Sequence, residues 1–478
     1  MGFLRLNRIV LKKQDYFTRI IAQISVQCKY RKWKRREMAV MKPFMKLYIP
    51  IALETLFMML AGMVDTIMLS TVGDSAVGAV GTANTYIGIF IIMFHVISSG
   101  MIAVMTQYIG AKRFGVAYQA RQLGVVFNAV IGVGLSAFLY IFSERFLEIV
   151  GVAPLLMEHA KTYLKIVGGA CLLNALIPIF SSYLRAFGHT KQPLAATVAA
   201  NVLNLCLNAV FLFVFHFGVA GVAAATVISR VVNLLIVMIA SRLLVNAGEH
   251  SERLKNREVF AQIIKVGLPS ALETALYNVA MTLTIRFLNQ MDESGFNVTA
   301  RAYTVQIANF SYCAGAALAQ ANAIMTGWRI GEGDFDACDR GTKKAAVIGI
   351  CVAAGLETAF VLGSDHLVRL FTDDAEMIAL VRTLMTIDIA LEVGRVTNLV
   401  FGQALKTSGD ALYTTIIGVV FMYICMVGGT WFFGIHLDLL AVGAYIGIAG
   451  DECVRAVFMF LRWQSGKWRT KGFIQARQ

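Results

Sequence analysis

The sequence predicts an all-α membrane protein of twelve transmembrane helices, built as two parallel six-helix lobes with pseudo-two-fold symmetry. Three observations carry this: a strongly apolar composition, apolar stretches of spanning length along nearly the whole chain, and an internal repeat that divides it in two.

Of the 478 residues, 58% are hydrophobic and only 15% charged, and mean hydropathy is +0.67. A soluble domain is about half apolar and a quarter charged, and cannot hide so much apolar surface. Stretches such as Leu123 to Phe142, Leu194 to Phe215 and Val219 to Val245 are each long enough to cross ~30 Å of hydrocarbon. Read between polar or Gly/Pro punctuation, the chain gives twelve spans, starting near residues 44, 86, 118, 163, 194, 219, 262, 301, 342, 378, 411 and 439.

Charge sets the orientation. Residues 1–42 hold twelve basic residues against Asp15 and Glu37. Placed before a hydrophobic helix, this run holds the N-terminus on the cytoplasmic side and touches anionic lipid heads; nucleic acid is not an expected partner. No short apolar core with a cleavage site follows it, so a signal peptide is not expected. Alternate loops are rich in Lys and Arg: Lys112, Arg113 and Arg121; Arg185 and Lys191; Arg242, Arg253, Lys255, Arg257 and Lys265; Arg329, Arg340, Lys343 and Lys344; and Lys406. The opposite loops are poor in them. The expected organisation is a basic cytoplasmic tail (1–42), an N-lobe (43–242), a cytoplasmic linker (243–261), a C-lobe (262–463) and a cytoplasmic C-terminal tail (464–478), in a multi-pass protein of the cell membrane with both termini inside.

The repeat is short but ordered. Lys46 and Pro50-Ile-Ala-Leu-Glu-Thr55 recur as Lys265 and Pro269-Ser-Ala-Leu-Glu-Thr274. Ile109-Gly110 recurs as Ile330-Gly331, and Leu184-Arg185 with Gly188 as Leu405-Lys406 with Gly409. An even number of spans in each copy gives the halves the same topology, related by an axis along the membrane normal, and a small-molecule path between such lobes is the usual consequence.

Several chemistries have no support. The eight cysteines, from Cys28 to Cys453, are scattered without a CxxC pair, and the seven histidines form no ligand pair at helical spacing; neither a disulfide framework nor a structural metal is expected. No phosphate-cradling glycine loop occurs, so no cofactor is expected, and energy for transport would come from an ion gradient. Attention therefore falls on ionisable residues within spans, which are costly there unless paired or hydrated. Glu54 and Asp65 lie eleven residues apart in the first span, which returns them to within about 20° of one direction with a rise of ~16 Å. Pro50 and Pro269 lie inside their spans and are candidate kinks or hinges. Asn201, Asn204 and Asn208 recur on the fifth span and Thr226 sits on the sixth; Asn204 and Asn208 share a face, as ion ligands or as interhelical hydrogen-bond partners. In the second half, Asp388, Glu392 and Arg395 are spaced for an ion pair, a gate or a proton relay.

At this point the sequence resembles the MATE (multidrug and toxic compound extrusion) transporters. The resemblance runs from Lys42 to Arg462 and is carried by Val64-Asp-Thr-Ile-Met68 with Gly73, Leu184-Arg-Ala-Phe-Gly188, Asn201 to Phe213, and Gly218-Val-Ala-Gly-Val-Ala-Ala-Ala-Thr226. It implies antiport of drug-like or organic cationic compounds against H⁺ or Na⁺, with coupling positions falling on Asp65, Asn204, Asn208 and Thr226. The third of these departs, since the family carries Asp where this chain has Asn208. In some members the C-lobe adds a Glu and an Asp; here those positions are Tyr277 and Arg395, and Glu273 and Glu392, each displaced by about one turn, are the substitutes. Apart from a possible Na⁺ at Asp65, no metal is implied. A flippase for a lipid-linked sugar or other amphiphile is the alternative, hinted at by Arg286 and Arg395; a membrane enzyme or receptor has no catalytic constellation behind it. A monomer meeting only lipid and a small-molecule substrate is expected.

Overall fold

The computed structural model describes residues 42–245, 252–292 and 294–474. The basic tail before Lys42, the middle of the linker and the last four residues lie outside the described residues. Twelve long helices follow one another: α1 Lys42–Ser70, α2 Asp74–Gly110, α3 Phe114–Ile149, α4 Pro154–Gly168 with Cys171–Ala186, α5 Lys191–Val214, α6 Gly218–Leu244, α7 Asn256–Met291, α8 Phe296–Glu332, α9 Phe335–Leu362, α10 Ala375–Thr407, α11 Ala411–His436 and α12 Leu440–Gln464. A single turn, Ser364–Val368, lies between α9 and α10. No strand occurs among the described residues. Lys42–Lys46 belongs to one unit of the chain and everything from Leu47 onward to another.

Two helix starts differ from the sequence reading. α2 begins at Asp74, not near 86, and α4 at Pro154, not near 163. Residues 74–85 are Gly, Ala, Thr and Asn rich, and 154–163 carry Glu158, His159 and Lys161, so a search for apolar runs enters each helix late. α4 is bent by 44° where its two parts meet, whereas α1 and α7 pass through Pro50 and Pro269 as continuous helices.

By length and composition eight helices can cross a membrane, nine when α4 counts as one span. The three that fall short are α8, α10 and α12. α10 carries Asp388, Glu392 and Arg395, α12 carries Asp451, Glu452 and Arg455, and α8 carries Gln306, Asn309, Gln320 and Asn322. These side chains would be costly against lipid, so such helices must face protein or water. By contrast Val126, Val130, Val133 and Ile141 of α3 form an exposed apolar stripe, as a lipid-facing helix requires.

The larger clusters of buried apolar residues lie from α1 to α6 around Phe94 and Tyr163, around Met101, Tyr183 and Ile263, and from α7 to α12 around Met385 and Met426; a small one joins Ala103, Val266 and Ala411. Polar caps fix the turns. Asp334 accepts from Ala337 N, and Asp374 from Glu376 N. In the α7–α8 turn the Ser294 hydroxyl and the Asn297 and Phe296 amides hold the Asp292 carboxyl well below the usual carboxylate range.

The lobes meet at one end, here termed the linker end. There Gly100 and Gly267 let α2 and α7 cross backbone to backbone: a Cβ on Gly267 would lie 1.7 Å from Val96 O, and one on Gly100 2.0 Å from Ile263 O. α2 and α8 cross the same way, with a Cβ on Gly110 2.0 Å from Trp328 O and one on Gly331 2.0 Å from Gln107 O. Gly110 and Gly331 are the repeated glycines of the sequence, and each touches the other's helix, as a two-fold axis between them demands. The C-terminal segment closes over this seam. Trp463 and Trp468 stack at 4.1 Å, Phe473 N donates to Gln107 Oε1 (2.9 Å), and Gln107 Nε2 donates to Thr407 O (2.6 Å). The linker docks on α3, where Gln119 Nε2 donates to Leu254 O (2.7 Å) and Arg113 pairs with Glu252 (2.9 Å).

Candidate functional site

In the N-lobe, α1 and α5 run parallel and are joined by three polar rungs. Thr197 Oγ1 donates to Glu54 Oε1 (3.3 Å), Asn201 Nδ2 to Phe57 O (3.1 Å), and Asn208 Nδ2 to Asp65 Oδ1 (2.8 Å). Glu54 and Asp65 thus face the same neighbour. Their environments differ. Glu54 is 4% exposed and paired with Arg185 at 2.7 Å; Asp65 is half-buried and bonded to a neutral amide.

The Glu54 arrangement is duplicated in the C-lobe. Glu273 pairs with Lys406 at 2.9 Å and accepts from Thr415 at 3.2 Å. Glu54 with Glu273, and Arg185 with Lys406, are the repeat positions in the sequence, and the glycines behind them, Gly188 and Gly409, both have positive φ (+83° and +94°), a conformation that favours glycine. An ion pair on each lobe, more deeply buried in the N-lobe, holds α1 to α4, and α7 to α10, near the linker end. Glu273 is therefore already compensated and is no free ligand for a cation.

Around Asp65, Asn208 also donates to Asn204 Oδ1 (3.1 Å), while its own Oδ1 is buried without a partner. Thr226 donates to Val222 O within its helix (2.8 Å). One turn further along α6, Arg230 stands near enough for its charge to act on Asp65 and Tyr163, with Nη1 buried and unpartnered. The sequence reading missed Arg230. Its signal was a charge four residues after Thr226 in a 27-residue apolar helix. A lone carboxylate with a guanidinium within electrostatic range can take up a proton or stay charged, and Arg230 disfavours a second cation there.

In the C-lobe, α7, α8, α10, α11 and α12 line a cavity of about 500 Å³. Tyr277 and Arg395 line it; Glu392 lies behind Arg395, and Arg286 is exposed elsewhere on α7. Arg395 is bound to Glu392 and, through Nε, to Glu452 (3.3 Å). Arg455 pairs with Asp451 (2.6 Å) and Glu452 (3.0 Å), and Asn398 donates to Glu452 Oε2 (3.0 Å). Two acids lack such partners: Asp388, whose Oδ2 is buried and unbonded, and Glu357 of α9, 1% exposed with neither oxygen bonded. Among these acids only Glu392, Asp451 and Glu452 are paired, with Arg395 and Arg455, while a third guanidinium, Arg301, lines the same cavity without an ion pair among the described residues. The charged residues of α12 and Glu357 were not among the candidates read from the sequence, although Asp451, Glu452 and Arg455 carry the same spacing that marked α10.

The MatE family profile matches residues 50–210 and again 269–431, once in each half. An uncharacterized transporter of Bacillus subtilis, YisQ, is 32% identical over 429 residues, covering 88% of this chain and 94% of its own. A probable multidrug resistance protein of Thermotoga maritima, NorM, is 23% identical, covering 91% of this chain and 94% of its own. A solved structure described as the outward-facing conformation of a multidrug resistance MATE family transporter superposes with a TM-score of 0.80 at 21% identity, covering 89% of this chain and 95% of that one. With two profile matches that reproduce its internal repeat and a relative similar over nearly its full length, this chain belongs to the MatE family of membrane transporters.

Proposed function

We propose that the protein is a proton-coupled exporter of drug-like or organic cationic compounds that alternates access by rocking its lobes. The observation that carries this is the Asp65 site: one carboxylate, hydrogen-bonded through Asn208 to Asn204 and opposed by Arg230. Sodium would need negative charge and several oxygen ligands to replace its water. Here a single carboxylate is offset by a fixed cation, while one proton suffices to neutralise it. A neutral Asp65 re-sorts its bond to Asn208, which couples protonation to the seating of α1 against α5.

The linker end is taken as the cytoplasmic end, on the strength of the Lys and Arg asymmetry between loops. The tight α2–α7 and α2–α8 crossings then seal the cytoplasmic side, which corresponds to an outward-facing state. The multidrug descriptions of NorM and of the superposed structure support a drug-like substrate.

A second locus for coupling is favoured by one observation, the buried and unbonded carboxyl of Glu357 beside Asp388. Two buried carboxyls without a cationic partner of their own need protons or cations for balance. Transport of a fluorescent organic cation into sealed proteoliposomes under an imposed pH or Na⁺ gradient tests both. A pH gradient alone should drive it, and Asp65→Asn should abolish it with folded protein retained; loss in Glu357→Gln with Asp65→Asn active would move coupling to the C-lobe.

A further inference from the structure

We infer that the C-lobe cavity is a binding site for an aromatic molecule bearing a carboxylate, with Arg301 as its anchor. This rests on the export reading above and narrows its substrate class to molecules that carry an acid group as well as any positive charge.

Four cations line the cavity: Arg301, Arg395, Lys406 and Arg455. Three are compensated by carboxylates, Arg395 by Glu392 and Glu452, Lys406 by Glu273, and Arg455 by Asp451 and Glu452. Arg301 has no ion pair among the described residues. Its Nε is buried without a partner, and Nη2 reaches only the thioether of Met281 at 3.0 Å. Asp388, the remaining acid on the wall, has a buried, unbonded Oδ2 and forms no ion pair with Arg301 among the described residues.

A guanidinium stays charged at every accessible pH and presents a planar fork of donors that matches a carboxylate. Holding it on a cavity wall against a thioether leaves most of that fork unused, and unmet buried donors are costly. The geometry therefore has a place for an anion that the chain does not supply. The rest of the wall sets what the anion is attached to. Tyr277, Tyr312 and Tyr445 line the same cavity as Met281, and aromatic faces with a thioether favour a flat aromatic body. A volume of about 500 Å³ holds one drug-sized molecule.

The test uses two xanthene dyes, a rhodamine with a free benzoate carboxylate and its methyl ester, which differ by one negative charge. Binding to the purified full chain in detergent is followed by fluorescence polarisation, without any ion gradient. The free acid should bind about tenfold or more tightly than the ester. Arg301→Gln should remove that preference by weakening the acid and sparing the ester, so that ester binding doubles as the folding control. Arg301→Lys should keep part of the preference, since charge remains and the fork is lost. Equal binding of the two dyes, binding of neither, or an equal loss of both in Arg301→Gln would overturn the inference. Gradient-driven transport is read separately: an acid preference in a protein that moves no dye under any gradient would refute the exporter and leave the binding site standing.

Discussion

A methyl group at Gly267 acts on the seam between the lobes and on little else. In the structure its Cβ would lie 1.7 Å from Val96 O and 2.8 Å from Val96 C, where carbon normally keeps more than 3 Å from such atoms. Backbone on both sides leaves no flexible side chain to yield, so α2 and α7 must separate by more than about 1 Å. Overpacking of this kind costs about 1–3 kcal/mol. The cost falls only on the state in which the linker end is closed, because the helices part when it opens. The equilibrium should therefore move toward the open linker end by about 5- to 150-fold in Gly267→Ala. A single cysteine at Ala103, 1% exposed and packed against Val266 and Ala411, reports the seam in a chain otherwise free of cysteine. Its maleimide labelling rate should rise by that factor. Gly88→Ala is the control, since nothing lies within 4 Å of a Cβ there, and it should leave the rate unchanged. An unchanged rate in folded Gly267→Ala would show that α2 and α7 do not form the moving seam.

Three further outcomes are expected. Asn208→Asp adds a second carboxylate beside Asp65, to which Asn208 now donates at 2.8 Å, and should introduce Na⁺ dependence into dye export; export that stays indifferent to Na⁺ would show that charge number at this site does not select the ion. Arg395→Ala strands Glu392, while Glu452 keeps Arg455, and should cost about 3–5 kcal/mol or abolish folding, read as loss of thermal stability in detergent. Exchanging Glu392 and Arg395 should recover little of it, since Glu452 would then face a carboxylate; full recovery would mean that Glu452 is not part of the pair. Impermeant labelling of a single cysteine at Glu252 in intact cells should fail, and rapid labelling there would refute the cytoplasmic assignment of the linker end.

What the sequence determined by itself was everything that depends on one segment at a time. Apolar run length set most of the helices, because crossing hydrocarbon is a local requirement, while α8, α10 and α12 are too polar to pass on apolarity alone. The repeat set the two lobes: Gly110 with Gly331 and Glu54 with Glu273 were visible as matched positions before their contacts were known. Asp65, Asn204 and Asn208 were legible because one helix face brings the asparagines together and Asp65 is an ionisable residue within the first span; family likeness supplied only their joint role. Partnership across helices was not legible. Nothing local distinguishes Glu273, held by Lys406, from Glu357, whose carboxylate oxygens have no hydrogen-bond partner; the spacing offered Glu392 to Arg395, but not Glu452 from another helix. Arg230 reaches Asp65 from a different helix, and the seam glycines matter only because another backbone passes over them. The free energy of a buried charge is set by what lies within a few ångströms of it in any direction. Those neighbours come from residues more than a hundred positions apart, such as Glu54 and Arg185 or Glu273 and Lys406, so only the packing of the helices decides which charges are satisfied and which are left for a ligand or a proton.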